Sequence, residues 1–116
     1  MKKTSPPSNQ MALEGMGTEG EELMAKARQW VAIHYNEWQF YCREARRDGD
    51  ETGYISSDAI VHAMRRAFRG LVVSNDFTAP FARIFLEQLK PVEREKYRPC
   101  FRMHESKVDT FTGVKL

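Results

Sequence analysis

Met24, Ala27, Val31, His34, Trp38, Tyr41 and Ala45 recur at alternating steps of three and four residues. That spacing stacks side chains along one stripe of an α-helix, and it limits what the chain can fold into more than any other feature. A helix over about 21–47 is predicted. Glu21 and Glu22 stand where a helix N-terminus favours negative charge, and Arg43, Arg46 and Arg47 stand at the other end. Trp30, Ile33 and Phe40 widen the apolar stripe beyond a two-position seam, so the helix is expected to be buried in a domain.

The segment that follows, 48–58, carries Asp48, Asp50, Glu51 and Asp58 with no base among them. Tyr54 and Ile55 fit a very short strand, and "SSD" supplies an N-cap and an early acid for a second helix reaching about Arg69. Ile60, Ala63, Met64, Ala67 and Phe68 would be its buried face, and Gly70 stops it. "LVVSND" reads as a brief extended turn. Asn75 or Asp76 can cap a third helix that runs to about Lys90, before Pro91, with Phe77, Phe81, Ile84, Phe85 and Leu89 inward. Pro80 must lie near the start of that helix. Arg83, Glu87 and Lys90 form its polar stripe.

"YRPCFRMH" sets Tyr97, Pro99, Phe101 and Met103 against Arg98, Cys100, Arg102 and His104, the period of a half-buried strand, and Val108 and Phe111 offer a returning one. The expected fold is mainly α: a three-helix winged-helix-like domain over 21–112 with a small C-terminal β-hairpin, the alternative being a plain three-helix bundle. Residues 1–20 are expected to be a disordered arm and 113–116 a tail.

Composition limits the function classes. Of 116 residues 41% are apolar and 29% charged, with a net charge of +2, as in ordinary soluble domains. No apolar run is long enough to span a bilayer, and Pro6 and Pro7 interrupt what would be a signal-peptide core, so a cytoplasmic location is expected. Cys42 and Cys100 are too far apart in sequence for a metal-knuckle pair and are expected to be reduced thiols. His34, His62 and His104 are dispersed, and no nucleophile elbow, phosphate loop or paired carboxylate signature occurs. A non-enzymatic protein without cofactors is expected.

"DGDETGYISSDA", residues 48–59, imitates a calcium loop: Asp48, Asp50, Thr52, Tyr54 and Ser56 fall at ligand positions, with Gly53 at the turn. The twelfth position, which needs a bidentate carboxylate, is Ala59. Asp58 is one residue early, a rotation of about 100° on a helix. The stretch therefore reads as a solvated acidic turn, with a degenerate calcium site the minor alternative.

His62, Arg65, Arg66 and Arg69 fall at i, i+3, i+4 and i+7, a basic stripe opposite the core face of the second helix. Arg98, Arg102 and Lys107 would supply a second basic surface on the hairpin. With Arg83 and Lys90 from the third helix, these are the residues expected to contact DNA through its phosphates. The runner-up is a protein-interaction module that binds a host protein through Trp30, Trp38 and Tyr41 beside the acidic turn, since aromatic anchors dominate such contacts. The seam of the first helix would also suit a homodimer.

Four segments, "EWQFYCREARR", "AIVHAMRRAF", "VVSNDFTAPFARIFLEQLKP" and "FRMHESKVD", resemble a family of small uncharacterised proteins encoded in bacteriophages and prophages. The most specific element is Asn75 followed by Phe81, Ala82 and Arg83, with Pro91 near the helix end. The likeness covers about Tyr35 to Asp109. It implies a small intracellular, winged-helix-like domain with a phage connection, in which the 48–53 region is a variable polar turn and binds no calcium.

Overall fold

The computed structural model describes residues 15–101, with side chains from residue 19. Five α-helices occur in this span: α1 (Gly15–Ile33), α2 (Tyr35–Thr52), α3 (Ser57–Ala67), α4 (Thr78–Glu87) and α5 (Pro91–Tyr97). Short 3₁₀ turns at Asn75–Phe77 and Arg98–Cys100 precede α4 and follow α5. The mainly α class is as expected, and among the described residues no extended strand forms.

The predicted first helix is two. His34 takes φ −112° and ψ 52°, outside the helical region, while hydrogen bonds on either side persist, His34 N–H to the Trp30 carbonyl at 2.8 Å and Trp38 N–H to the His34 carbonyl at 2.9 Å. The His34 ring folds back on its own helix: Nδ1 lies 3.1 Å from the Trp30 carbonyl, and the ring stacks on the Trp30 indole at 4.3 Å. Packing explains the elbow. Trp30 and Trp38 would stand about 12 Å apart along a straight helix, yet their rings lie 5.2 and 5.3 Å from the ring of Phe81. Bending at His34 lets both indoles reach α4.

α4 is the axis of the core. Every residue from Pro80 to Leu86 is buried, and Phe81 also meets Tyr41 and Phe77. Pro80 sits in the first turn, where its missing N–H has no intrahelical partner to lose. Pro91 ends nothing; it opens α5, whose first position suits its fixed φ. From α5 the Arg94 guanidinium donates to the carbonyls of Leu86, Glu87 and Leu89 at 2.9, 3.2 and 3.1 Å. Carbonyls at a helix end lack intrahelical donors; the Leu86 carbonyl also accepts from Leu89 N–H at 3.2 Å, and Arg94 completes the cap from the next helix.

The strand expected from Tyr97 onward is corrected. Tyr97 closes α5 and residues 98–100 make a 3₁₀ turn. Tyr97 and Phe101, four residues apart and both buried, satisfy a helical turn as readily as a strand. Phe101 makes a single parallel bridge to Ile55, with Ile55 N–H donating to the Cys100 carbonyl at 2.9 Å. The arm expected over 1–20 is corrected over 15–20, which form the start of α1; the rest of that arm and the expected returning strand through Val108 and Phe111 lie outside the described residues. No helix among the described residues is long and apolar enough to cross a membrane.

Candidate interaction surface

The acidic stretch is corrected first. α2 continues through Thr52, so Asp48, Gly49, Asp50 and Thr52 lie on a helix, and Gly53 is its left-handed C-cap at φ 75°. Successive helical residues diverge by about 100°, whereas a calcium loop must wrap alternate oxygens around one point. The Thr52 hydroxyl is spent on the backbone carbonyl of Asp48 at 2.7 Å. Ser56 caps α3 by accepting from Ala59 N–H at 3.1 Å. Among the described residues no three His, Cys, Asp or Glu side chains converge as a metal site requires.

The stretch serves packing. Gly49 lets α2 approach α5, since a Cβ there would lie 2.8 Å from Tyr97 Cδ1 and 3.1 Å from Ile55 Cδ1. Asp50 accepts from the Tyr97 hydroxyl at 2.9 Å and pairs with Lys96 at 3.0 Å. Hydrogen bonds from Lys96 and then Tyr97 hold the Asp50 carboxyl below its ordinary range, and the same contact raises Lys96.

The expected phosphate-binding set separates. Arg83 is fully buried in α4 and donates to the Ala79 carbonyl at 3.2 Å, so it is no surface cation and the polar stripe assigned to that helix is corrected at this position. Arg65 turns along the surface to tie the following segment, donating to the Val73 carbonyl at 2.6 Å and to Asn75 Oδ1 at 2.8 Å. Arg98 pairs with Glu95 at 2.6 Å, and His62 lies 3.5 Å from Asp58. Arg66, Arg69 and Lys90 are exposed, and none of the three has an ion pair among the described residues. Arg102 and Lys107 lie outside the described residues.

The aromatic surface proposed for a protein partner is also corrected. Trp30, Trp38 and Tyr41 are all buried, together with Met24, Ala27 and Ala45. The seam of the first helix is thus covered within its own chain. The Ser57 hydroxyl donates to the Thr78 carbonyl at 2.5 Å, which leaves Tyr41 to donate to Ser57 Oγ at 2.7 Å. Burial pushes the Tyr41 hydroxyl well above the usual phenol range and raises the Cys42 thiol, whose sulfur accepts from Gln88 at 3.1 Å. These groups are neutral packing residues.

Among the described residues the large exposed apolar side chains are Ile33, Tyr35 and Val72 and, away from the elbow, Tyr54 and Val92. Ile33 is 68% exposed, Tyr35 60% and Val72 83%. The first two flank His34. Val72 belongs to the extended segment 71–74, which is held on both sides: Trp30 Nε1–H donates to the Val72 carbonyl at 3.0 Å, and Arg65 holds the next carbonyl. Ile33 lies three residues beyond Trp30 on α1, and the Val72 carbonyl accepts from the Trp30 indole.

Sequence reasoning missed this patch, although one signal was available. In an extended "LVVS" successive side chains alternate, so with Val73 buried its neighbour had to face outward. Neither a family model, a curated protein nor a solved structure matches the chain.

Proposed function

We propose that this protein is a small protein-binding module that docks a partner on the apolar elbow formed by Ile33, Tyr35 and Val72. The observation that carries the reading is the exposure of Val72 and Ile33 on either side of the buried Trp30. The chain buries Trp30, Trp38, Tyr41, Phe81 and Phe85 in its core and presents Val72 on a backbone fixed by hydrogen bonds. Grouped exposed apolar side chains mark interaction sites, whereas scattered ones do not. Pre-organised anchors lose little entropy when a partner arrives. The resemblance to phage and prophage proteins makes a host protein the expected partner.

The test is affinity capture from a nuclease-treated host extract by the full chain, in parallel with Ile33→Ser/Val72→Ser. A species captured by the wild type and absent from the double variant supports the reading. Capture indifferent to the double change removes it.

The reading as a winged-helix-like DNA binder keeps a narrower basis. The order α2, Ile55, α3, turn, α4 fits that topology, and Arg66 and Arg69 are exposed. Against it stand the 3₁₀ turn at Arg98–Cys100, where the first hairpin strand was expected to begin, and the burial or pairing of Arg83, Arg65 and Arg98. Gel shifts with random duplex at two ionic strengths separate the two. DNA binding by this route requires a salt-sensitive shift that Arg66→Ala/Arg69→Ala weakens.

A further inference from the structure

We infer that two copies of this chain exchange α1: α1 and α2 fuse at His34 into one straight helix, whose first half seats on α4 of the other copy. The partner is a second copy of the chain, and the inference stands apart from the host-protein reading above.

The elbow is one residue long. α1 ends at Ile33 and α2 begins at Tyr35. The bonds from His34 N–H to the Trp30 carbonyl and from Trp38 N–H to the His34 carbonyl already run four residues back across it, as in a continuous helix. The apolar stripe of Met24, Ala27, Val31, His34, Trp38, Tyr41 and Ala45 also keeps its spacing through the elbow, so the sequence suits a straight form as well as the bent one. Straightening makes a single helix from Gly15 to Thr52, about 57 Å long.

The anchors of α1 all follow the elbow in sequence. Phe81 meets the Trp30 ring at 5.2 Å, the Val72 carbonyl accepts from the Trp30 indole at 3.0 Å, and Glu87 pairs with Arg28 at 2.9 Å. A second copy offers the same three groups, so exchange remakes each contact, the complementary charge included. Swapping an identical element is a low-cost route to a dimer, and a short hinge favours it. A one-residue hinge also fixes the axis, because an exchanged α1 ends where its host's elbow stands and the two elbows must meet. Ile33 and Tyr35 flank that point and are exposed in the single chain. In the dimer they close against their counterparts, which shuts the elbow to other partners.

The test is sedimentation of the full chain after refolding from denaturant at low and high protein concentration. The expected result is a monomer at the low concentration and a dimer at the high one. His34→Leu raises the dimerisation constant about fourfold, since each of two hinges gains helix propensity. Tyr35→Pro keeps the chain monomeric: proline suits the first position of α2, but inside a continuous helix it removes an N–H and clashes with the Val31 carbonyl. Inserting Gly-Gly-Ser between His34 and Tyr35 lengthens the hinge and has the same effect. Thermal unfolding of both monomeric variants checks that they fold. Co-refolding Arg28→Glu chains with Glu87→Arg chains gives heterodimers above the statistical share, because only exchange restores opposite charges at both seats.

A chain that stays monomeric at every concentration, His34→Leu included, overturns the inference. So does a dimer that survives both Tyr35→Pro and the insertion. Heterodimers at no more than the statistical share overturn it as well, since such a dimer leaves each α1 on its own α4.

Discussion

At Gly49 a single methyl group decides whether α2 and α5 can meet. Alanine is the better helix former by about 1 kcal/mol, but its Cβ would lie 2.8 Å from Tyr97 Cδ1. Overpacking of this kind costs about 1–3 kcal/mol, so Gly49→Ala is expected to lower stability in chemical denaturation despite its propensity. Beside it, the Asp50 carboxyl has its pKa lowered by Lys96 and Tyr97. A group whose folded pKa lies below its unfolded value stabilises above the ordinary carboxylate range. That contribution is lost as pH falls through the folded value. Asp50→Asn should therefore flatten the acid limb of a stability-against-pH curve; an unchanged acid limb would refute the linkage. Little of this was legible in the sequence. The spacing of Asp48, Asp50, Thr52 and Ser56 imitates a calcium loop and Ala59 at its twelfth position argues against one, but that the stretch ends α2 and is held by Tyr97, 47 residues on from Asp50, is a tertiary outcome.

Among the elements, the core faces of α2, α3 and α4 were legible because they follow from apolar periodicity, and Trp38, Tyr41, Ile60, Met64, Phe81 and Phe85 are buried as that spacing demands. The elbow at His34 was not, since the alternation of three and four continues across it. Nor was α5, because Pro91 serves equally as the sequel to one helix and the first residue of the next. Its clearest consequence is the Arg94 cap on α4. Arg94→Ala takes the side-chain donor from the Glu87 and Leu89 carbonyls, the Leu86 carbonyl keeping Leu89 N–H, and is expected to cost about 1–3 kcal/mol, measured by thermal unfolding. A loss of only a few tenths would mean that water caps α4 equally well. For α3, Ser56→Ala removes the one N-cap side chain bonded to Ala59 N–H, with an expected cost of about 1 kcal/mol.

Over the whole molecule, burial turns the most conspicuous sequence features inward. The aromatic seam becomes the core, Arg83 is enclosed by it, and the acidic stretch joins α2 to α5. A titration with millimolar calcium is accordingly expected to give neither binding heat nor a rise in Tm; a saturable heat would contradict the helical reading of 48–52. Of the candidate site only the alternation in "LVVS" was legible beforehand, because which valine faces outward depends on how the segment 71–74 is held by Trp30 and Arg65.

The most direct measurement is hydrogen exchange of the full chain with and without the captured partner. The account predicts that added protection centres on residues 30–36 and 69–73, on the two sides of the elbow. Protection confined to the exposed face of α3 from Asp58 to Arg66, with the elbow unchanged, would contradict it.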